Sequence, residues 1–509
     1  MSAEIINQTG FISQSPVSQK SSFVELSSDF SLPDYQPEIR RLLSTRVNVL
    51  PPSEYIGNDN AEFSGEIIYR ILYTGNDGGL YSASMTDTYT FSSPLEYGAK
   101  NPSPDDVLAT GYAHAESVVA RVLAPRKLNL RCKLSTDAEV LSPAVCYPRS
   151  NSGAGEQMQN LIAEAPVRKI KKLMGEPVAL SDFIALDSPL ESARIVDFSS
   201  SALITECTPA AGSVSCRGEV WLKILYCNDS ESDQALTLMR KMPFSVLLDD
   251  SETDASFECR ANAYISGEML EIEENGINCE LFVTVCAEAQ KNEQFSYIKD
   301  SYSTERKCEC YYQTLELPLS VKCANGNISQ SNAVKLADAR ISPDAKIVDA
   351  VGSATVRETA FDSGKMILKG ECGYTVICSL NDEYSAHDLS LPFKYELDCR
   401  NAPTSDPKWN AEATVLSTRA RADGEKLFID SEIALSVRVS AMGKVETLCE
   451  IELGEEIEKR ESEIVVCYPD KSDTLWSVAK RYAEPTSRIK LKNAISENDQ
   501  TLKKKYLII

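Results

Sequence analysis

Three short segments written in one grammar constrain this chain more than any other feature. They run from Ser64-Gly65-Glu66 to Tyr73, from Arg217-Gly218-Glu219 to Tyr226, and from Lys369-Gly370-Glu371 to Cys378. The glycines lie 153 and 152 residues apart, which is the period of a whole domain and not of a solenoid repeat. Behind each glycine the chain alternates with period two: Ile67, Tyr69, Ile71 and Tyr73; Val220, Leu222, Ile224 and Tyr226; Cys372, Tyr374, Val376 and Cys378. Such alternation predicts a strand with one buried face. On the other face the middle position is Arg70, Lys223 or Thr375, which predicts an antiparallel sheet solvated on that side. The Gly-Glu pair reads as a strand start or bulge with a solvated carboxylate, in preference to a catalytic use of Glu66, Glu219 or Glu371.

Each segment sits in matching surroundings. Pro37 to Leu43, Pro189 to Val196 and Pro343 to Val348 each join a proline to an aliphatic run, a turn into a first strand. Polar stretches follow at Asn101–Asp106, Asp250–Asp254 and Pro403–Pro407, and their recurrence marks them as surface connections. No spacing in them matches an EF-hand, so solvent suits their acidity better than calcium. Further alternating segments, such as Ala261–Glu271 and Ile277–Val285, bring each unit to five or more strands, as a small sandwich or barrel requires.

The expected fold is therefore mainly β, with three tandem small β-sandwich or barrel-like repeats and a C-terminal βααβ module. Residues 1–30 read as a mobile leader with room for one docking strand. The repeats occupy 31–148, 179–292 and 336–455. Connectors fill 149–178 and 293–335, the second with an extra strand at Tyr311–Val321. An acidic linker covers 456–463, and the module covers 464–509. In the first connector Leu161, Ile162, Ile170 and Leu173 fall at near-helical intervals, which predicts a short helix over Gln157–Leu173 broken at Pro166.

A chain of 509 residues has room for three or four domains, each able to bury a core. Its formal charge of −23 argues against a nucleic-acid partner, since phosphate binding needs a concentrated basic surface. The charge is uneven: from Glu463 onward nine Lys or Arg face six Asp or Glu, so a basic end hangs on an acidic body. Sixteen cysteines are spread thinly with no Cys-x-x-Cys pair. Cys216, Cys372 and Cys378 stand where the other copies carry Phe, Leu, Ile, Val or Tyr, so they read as small core hydrophobes in a reducing compartment. Cys308-Glu309-Cys310 stays open between a metal or redox pair and plain alternation on a strand.

Met1 to Phe11 lacks the apolar run of a secretion signal and no stretch suits a membrane span, so a cytosolic protein is expected. His114 and His387, the only two histidines, occupy non-equivalent places outside any metal or triad spacing. With no Walker loop, dinucleotide fingerprint or His-Glu-x-x-His, neither enzyme activity nor a metal or cofactor is expected.

From Ile464 the grammar changes to strand, helix, helix, strand. Ser472-Asp473 offers a helix cap ahead of Leu475, Val478, Ala479 and Tyr482 at i, i+3, i+4 and i+7, and Lys480 and Arg481 fall where the helix dipole favours cations. The run Asp473-Thr474-Leu475-Trp476-Ser477-Val478-Ala479-Lys480-Arg481-Tyr482, with Asn493 after the second helix, resembles the LysM family. Ser472 stands where that family has glycine, and Lys503-Lys504 where it has Pro-Gly. The resemblance implies a groove for N-acetylglucosamine-containing glycans such as peptidoglycan, made here by Asp473, Thr474, Asn493, Ala494 and Ile495.

The upstream repeats, with their proline-led starts and Gly-Glu strands, resemble the SPOCS domains of spore-coat morphogenetic proteins. Three copies ahead of a LysM module is the arrangement of the SipL-like family. It implies a non-enzymatic tether that works in the mother-cell cytosol at the forespore surface, through contact with the morphogenetic ATPase SpoIVA. Self-association and glycan binding through Trp476 and its loops remain as alternative contacts.

Overall fold

The computed structural model describes residues 11–95, 107–146, 149–150, 158–186, 193–228, 235–273, 275–399, 408–458, 465–495 and 506–509. The chain is mainly β, built of small antiparallel sheets that pair face to face.

In the first body one sheet holds β1 (Phe11–Ser31), and the other holds β2 (Ile39–Val49), β3 (Ser53–Ile56), β4 (Asn60–Gly75) and β5 (Leu80–Pro94). β6 (Leu108–Ala124) and β7 (Lys127–Cys146) complete the first sheet, in the order β1-β7-β6. The short β8 (Arg149–Ser150) leaves this body and pairs elsewhere. The second body follows with β9 (Met158–Met174), β10 (Val178–Ala185), β11 (Ala193–Ala210), β12 (Ser213–Asn228), β13 (Ala235–Asp249), β14 (Glu258–Glu273) and β15 (Gly276–Ser303). Here β11-β12-β13 faces β10-β15-β14. The third body comprises β16 (Arg306–Lys335), β17 (Lys346–Asp362), β18 (Lys365–Leu380), β19 (Glu383–Asp398), β20 (Lys408–Asp423) and β21 (Lys426–Glu456), with β17-β18-β19 facing β16-β21-β20. A terminal module of β22 (Val466–Cys467), α1 (Leu475–Tyr482), α2 (Thr486–Asn493) and β23 (Leu507–Ile508) ends the chain.

The Gly-Glu segments are the central strands β4, β12 and β18, and their alternating apolar residues fill the three cores. Ile67, Tyr69, Ile71 and Tyr73 are buried, as are Val220, Leu222 and Ile224, and Cys372, Tyr374, Val376 and Cys378. Each glycine lies under an aromatic ring on the next strand, since Gly65 pairs with Tyr89, Gly218 with Phe244 and Gly370 with Phe393. A Cβ added to any of them would strike that ring. The neighbour on the other side is irregular there: β11 shifts register between Ile204 and Glu206, β17 shifts between Val356 and Glu358, and β2 gives way to β3. Glycine is thus needed for ring clearance beside a bulge. Glu66 and Glu371 are exposed, and Glu219 is half-buried.

One expectation is corrected. Gln157–Leu173 holds no helix among its described residues; Met158–Met174 is a strand along β15, with Ile162 facing solvent. Pairing with β15 satisfies the backbone groups along one side, and as an edge strand it tolerates Pro166. The leader from residue 11 onward is a strand matched to β7 over its length, because Val24, Leu26 and Phe30 pack into the first core. The second connector is the end of β15 and the start of β16, joined by a bend at Thr304-Glu305, and the strand expected at Tyr311–Val321 lies within β16. β15, β16 and β21 run past the second and third cores into a common extension, where Ala165, Tyr297, Leu315, Leu317 and Val445 form a separate small core. Asp250–Asp254 is a turn held to Lys171. The loops at 101–106 and 403–407, Pro189, most of the acidic linker and Lys503-Lys504 lie outside the described residues.

Candidate functional site

The outer faces of β4, β12 and β18 are solvated only at their starts, at Glu66, Arg217 and Glu371; farther along, Leu72, Leu225 and Ile377 are buried. In each body the first strand of that sheet carries a bulge, between Leu42 and Ser44, Ile195 and Asp197, or Ile347 and Asp349. The extra residue, Leu43, Val196 or Val348, is turned outward. These three aliphatics meet Leu72, Leu225 and Ile377 in an apolar core shared by all three bodies. Period-two alternation cannot anticipate this, because the bulge inverts the pattern locally.

Polar contacts ring that core. Arg70 donates to the Phe198 carbonyl at 2.9 Å, lies over its ring and pairs with Glu268. Lys223 makes the equivalent contact to the Ala350 carbonyl at 2.7 Å and pairs with Asp349 at 2.8 Å. Arg46 pairs with the buried Asp197, whose carboxyl is pushed up by burial against the pull of Arg46 and Arg70. Both cations predicted to face water therefore bind a neighbouring body, since burying their stems requires a carboxylate or carbonyl at the tip. At the third contact Thr375 turns to Asp388 within its own sheet, and the position of Asp197 and Asp349 is taken by Ser44. A cleft of about 680 Å³ opens by this contact, with Thr45–Val49 of β2 and Ala350–Val356 of β17 among its walls. Sheet edges that line such a space can take up another extended chain.

A second lock joins the bodies. Glu288 accepts from Arg168 at 2.9 Å and from Arg260 at 2.6 Å, while Arg438 of the third body binds Glu139 of the first at 2.8 Å. Burial pushes the Glu288 carboxyl up, but Arg260, Arg438 and Arg168 outweigh it and bring it down to about 2.

The terminal module docks on the shared extension through Asp300 of β15. Asp300 accepts from Trp476 Nε1 at 2.7 Å, Lys480 Nζ at 2.6 Å and the Tyr312 hydroxyl at 2.6 Å. Burial would raise its carboxyl; these bonds hold it below the usual range. Tyr302 meets the Trp476 ring edge-on and donates to the Glu484 carbonyl at 2.7 Å. No sequence pattern marked Asp300, because its two partners in the terminal module, Trp476 and Lys480, are 176 and 180 residues away.

The predicted groove residues have mixed fates. Asp473 binds Arg481 at 2.7 Å and accepts from the Asp470 amide. Thr474 caps α1 in a reciprocal capping box with Ser477. Asn493 is buried, exchanging two bonds with the Ile508 backbone and donating to the Ile489 carbonyl, so it ties α2 to the last strand. Ala494 is the left-handed cap of α2, and Ile495 packs on the module's core. Only Thr474 and Ala494 are exposed. His114 lies 3.5 Å from Glu116, and His387 contacts Ser385. Among the described residues no group of three or more His, Cys, Asp or Glu is placed to hold a metal, and no helix is long and apolar enough to cross a membrane. No family model, curated protein or solved structure matches the chain.

Proposed function

We propose that this chain is a non-enzymatic assembly protein of the spore envelope, made of three SPOCS-like sandwich repeats and a LysM-type βααβ module. It works in the mother-cell cytosol and tethers coat components at the forespore surface through protein contacts. The morphogenetic ATPase SpoIVA is its partner by resemblance. The observation that carries this reading is the glycine under an aromatic ring beside a broken register, met in all three bodies. Such a match in packing and register supports duplication of one domain over three unrelated sheets. The joined bodies, with their edge-lined cleft, suit a scaffold.

Affinity capture from sporulating cells, with the full chain and with a form lacking 465–509, tests it. The full chain should recover the coat ATPase and the shortened form should lose it. Recovery of no coat protein by the full chain would sink the reading.

A glycan-binding role in the wall or cortex is the alternative, favoured by one observation: Thr474 and Ala494 stay exposed while α1 is docked. Retention on peptidoglycan that Ala494→Trp abolishes would establish it. Asn493 is unsuited to that test, since its side chain holds the module together.

A further inference from the structure

The three bodies meet in a ring whose contacts repeat. Arg194 of the second body donates to the Leu80 carbonyl of the first at 2.6 Å, and Arg41 of the first donates to the Tyr384 carbonyl of the third at 3.2 Å. The two arginines hold one register: Arg194 pairs with Cys227 and Arg41 with Thr74, each the residue after Tyr226 or Tyr73.

A second contact repeats only in part. Arg70 and Lys223 each reach an edge-strand carbonyl of the next body, that of Phe198 or Ala350. Phe198 pairs with Ile224, Ala350 with Val376 and Thr45 with Ile71, so Thr45 holds the same place in the first body. Its carbonyl therefore faces outward from β2, which ends its sheet on that side. The third body's counterpart of Arg70 and Lys223 is Thr375, too short for this reach, and its hydroxyl turns to Asp388 at 2.7 Å.

We propose that the cleft between the bodies binds an extended, lysine-bearing peptide segment of a partner protein. Its ammonium takes at Thr45 and Asp388 the place that Lys223 takes at Ala350 and Asp349. This deepens the scaffold reading by naming the chemistry that the cleft accepts, and its test needs no spore component.

Charge favours that occupant. The cations on the cleft walls are already neutralised, Arg46 by Asp197, Arg70 by Glu268 and Lys223 by Asp349. Asp388 and Glu412 stand on the same walls and pair with no cation among the described residues, so the surplus charge is negative. Thr418, also on the wall, is buried with its hydroxyl unpartnered, which a polar occupant accounts for. The edge offered at Thr45–Val49 suits a strand of about 5–6 residues, whose main chain supplies affinity while the ammonium supplies specificity. Val47 and Leu389 on the walls suit the methylene stem of a lysine.

The test titrates the full chain with a fluorescein-labelled peptide carrying one lysine between alternating threonine and valine, and with its norleucine counterpart. The lysine peptide should bind about tenfold more tightly, the worth of one hydrogen bond to a charged group. Thr375→Lys gives the third body the residue that the second already carries, and should abolish binding because the chain's own ammonium then reaches Thr45. Thr88→Lys adds the same charge at an exposed position of β5 and should leave binding unchanged, which separates the site from general attraction to an acidic protein. Asp388→Asn should weaken binding several-fold, and it replaces Thr375→Lys as the deciding variant if thermal melting shows the latter unfolded. Equal binding of the two peptides, no binding of either, or binding untouched by the folded variants would overturn the proposal. So would displacement by an equal concentration of spermidine, which would make a free polyamine the ligand.

Discussion

Lys223 Nζ lies 2.8 Å from Asp349 Oδ1, and this pair closes the contact between the second and third bodies, with both side chains almost wholly buried. Removing one partner leaves the other charge stranded. Lys223→Met should therefore cost about 3–5 kcal/mol in chemical denaturation. Adding Asp349→Ser, the residue that position 44 already carries, should restore most of it. If the double variant is no better than the single one, the pair is not what joins the bodies.

Gly218 tests the aromatic clearance. A methyl group there would strike the Phe244 ring and the Leu203 carbonyl, so Gly218→Ala should lower stability by about 1–3 kcal/mol through overpacking. Combining it with Phe244→Leu should recover part of the loss. The check is the thermal midpoint of the full chain.

Glu288 sets an acid limb. Its folded carboxyl titrates at about 2 against an ordinary 4.5, so between those values the unfolded chain binds more protons than the folded one. Its contribution, on the order of 3 kcal/mol, is complete above pH 4.5 and disappears as the pH falls towards 2. Glu288→Gln should flatten that limb in denaturation curves taken across this range.

Asp300 holds the terminal module. Asp300→Ala removes two hydrogen bonds to the module, from Trp476 and Lys480, each worth about 0.5–2 kcal/mol at this half-buried carboxylate. Amide exchange across Leu475–Tyr482 should quicken at least tenfold, with a red shift in Trp476 emission. Unchanged exchange would mean that the module is held from elsewhere.

Asn493→Ala should destabilise the module by about 2–3 kcal/mol, through three lost bonds to backbone at a buried position. The readout is melting of α2 by exchange or near-ultraviolet circular dichroism, and the three large bodies should be unaffected.

By itself, the sequence determined the local structure. Period-two alternation placed Ile67, Leu222 and Tyr374 in cores and made the chain mainly β, because a strand's faces are set by spacing along one segment. It also announced the start of α1, but offered Ser472-Asp473 as the cap where the structure uses Thr474, because several neighbouring residues can cap and the backbone decides which one does. What joins one segment to a distant one was decided only by the tertiary structure. Arg70 and Lys223 read as solvated until bulges at Leu43, Val196 and Val348 turned apolar groups outward and brought the bodies together. Gln157–Leu173 read as a helix, but Met158–Met174 is a strand because β15 offered it an edge to pair with. Burial and pairing across such separations depend on which surfaces meet, and spacing along the chain does not carry that information.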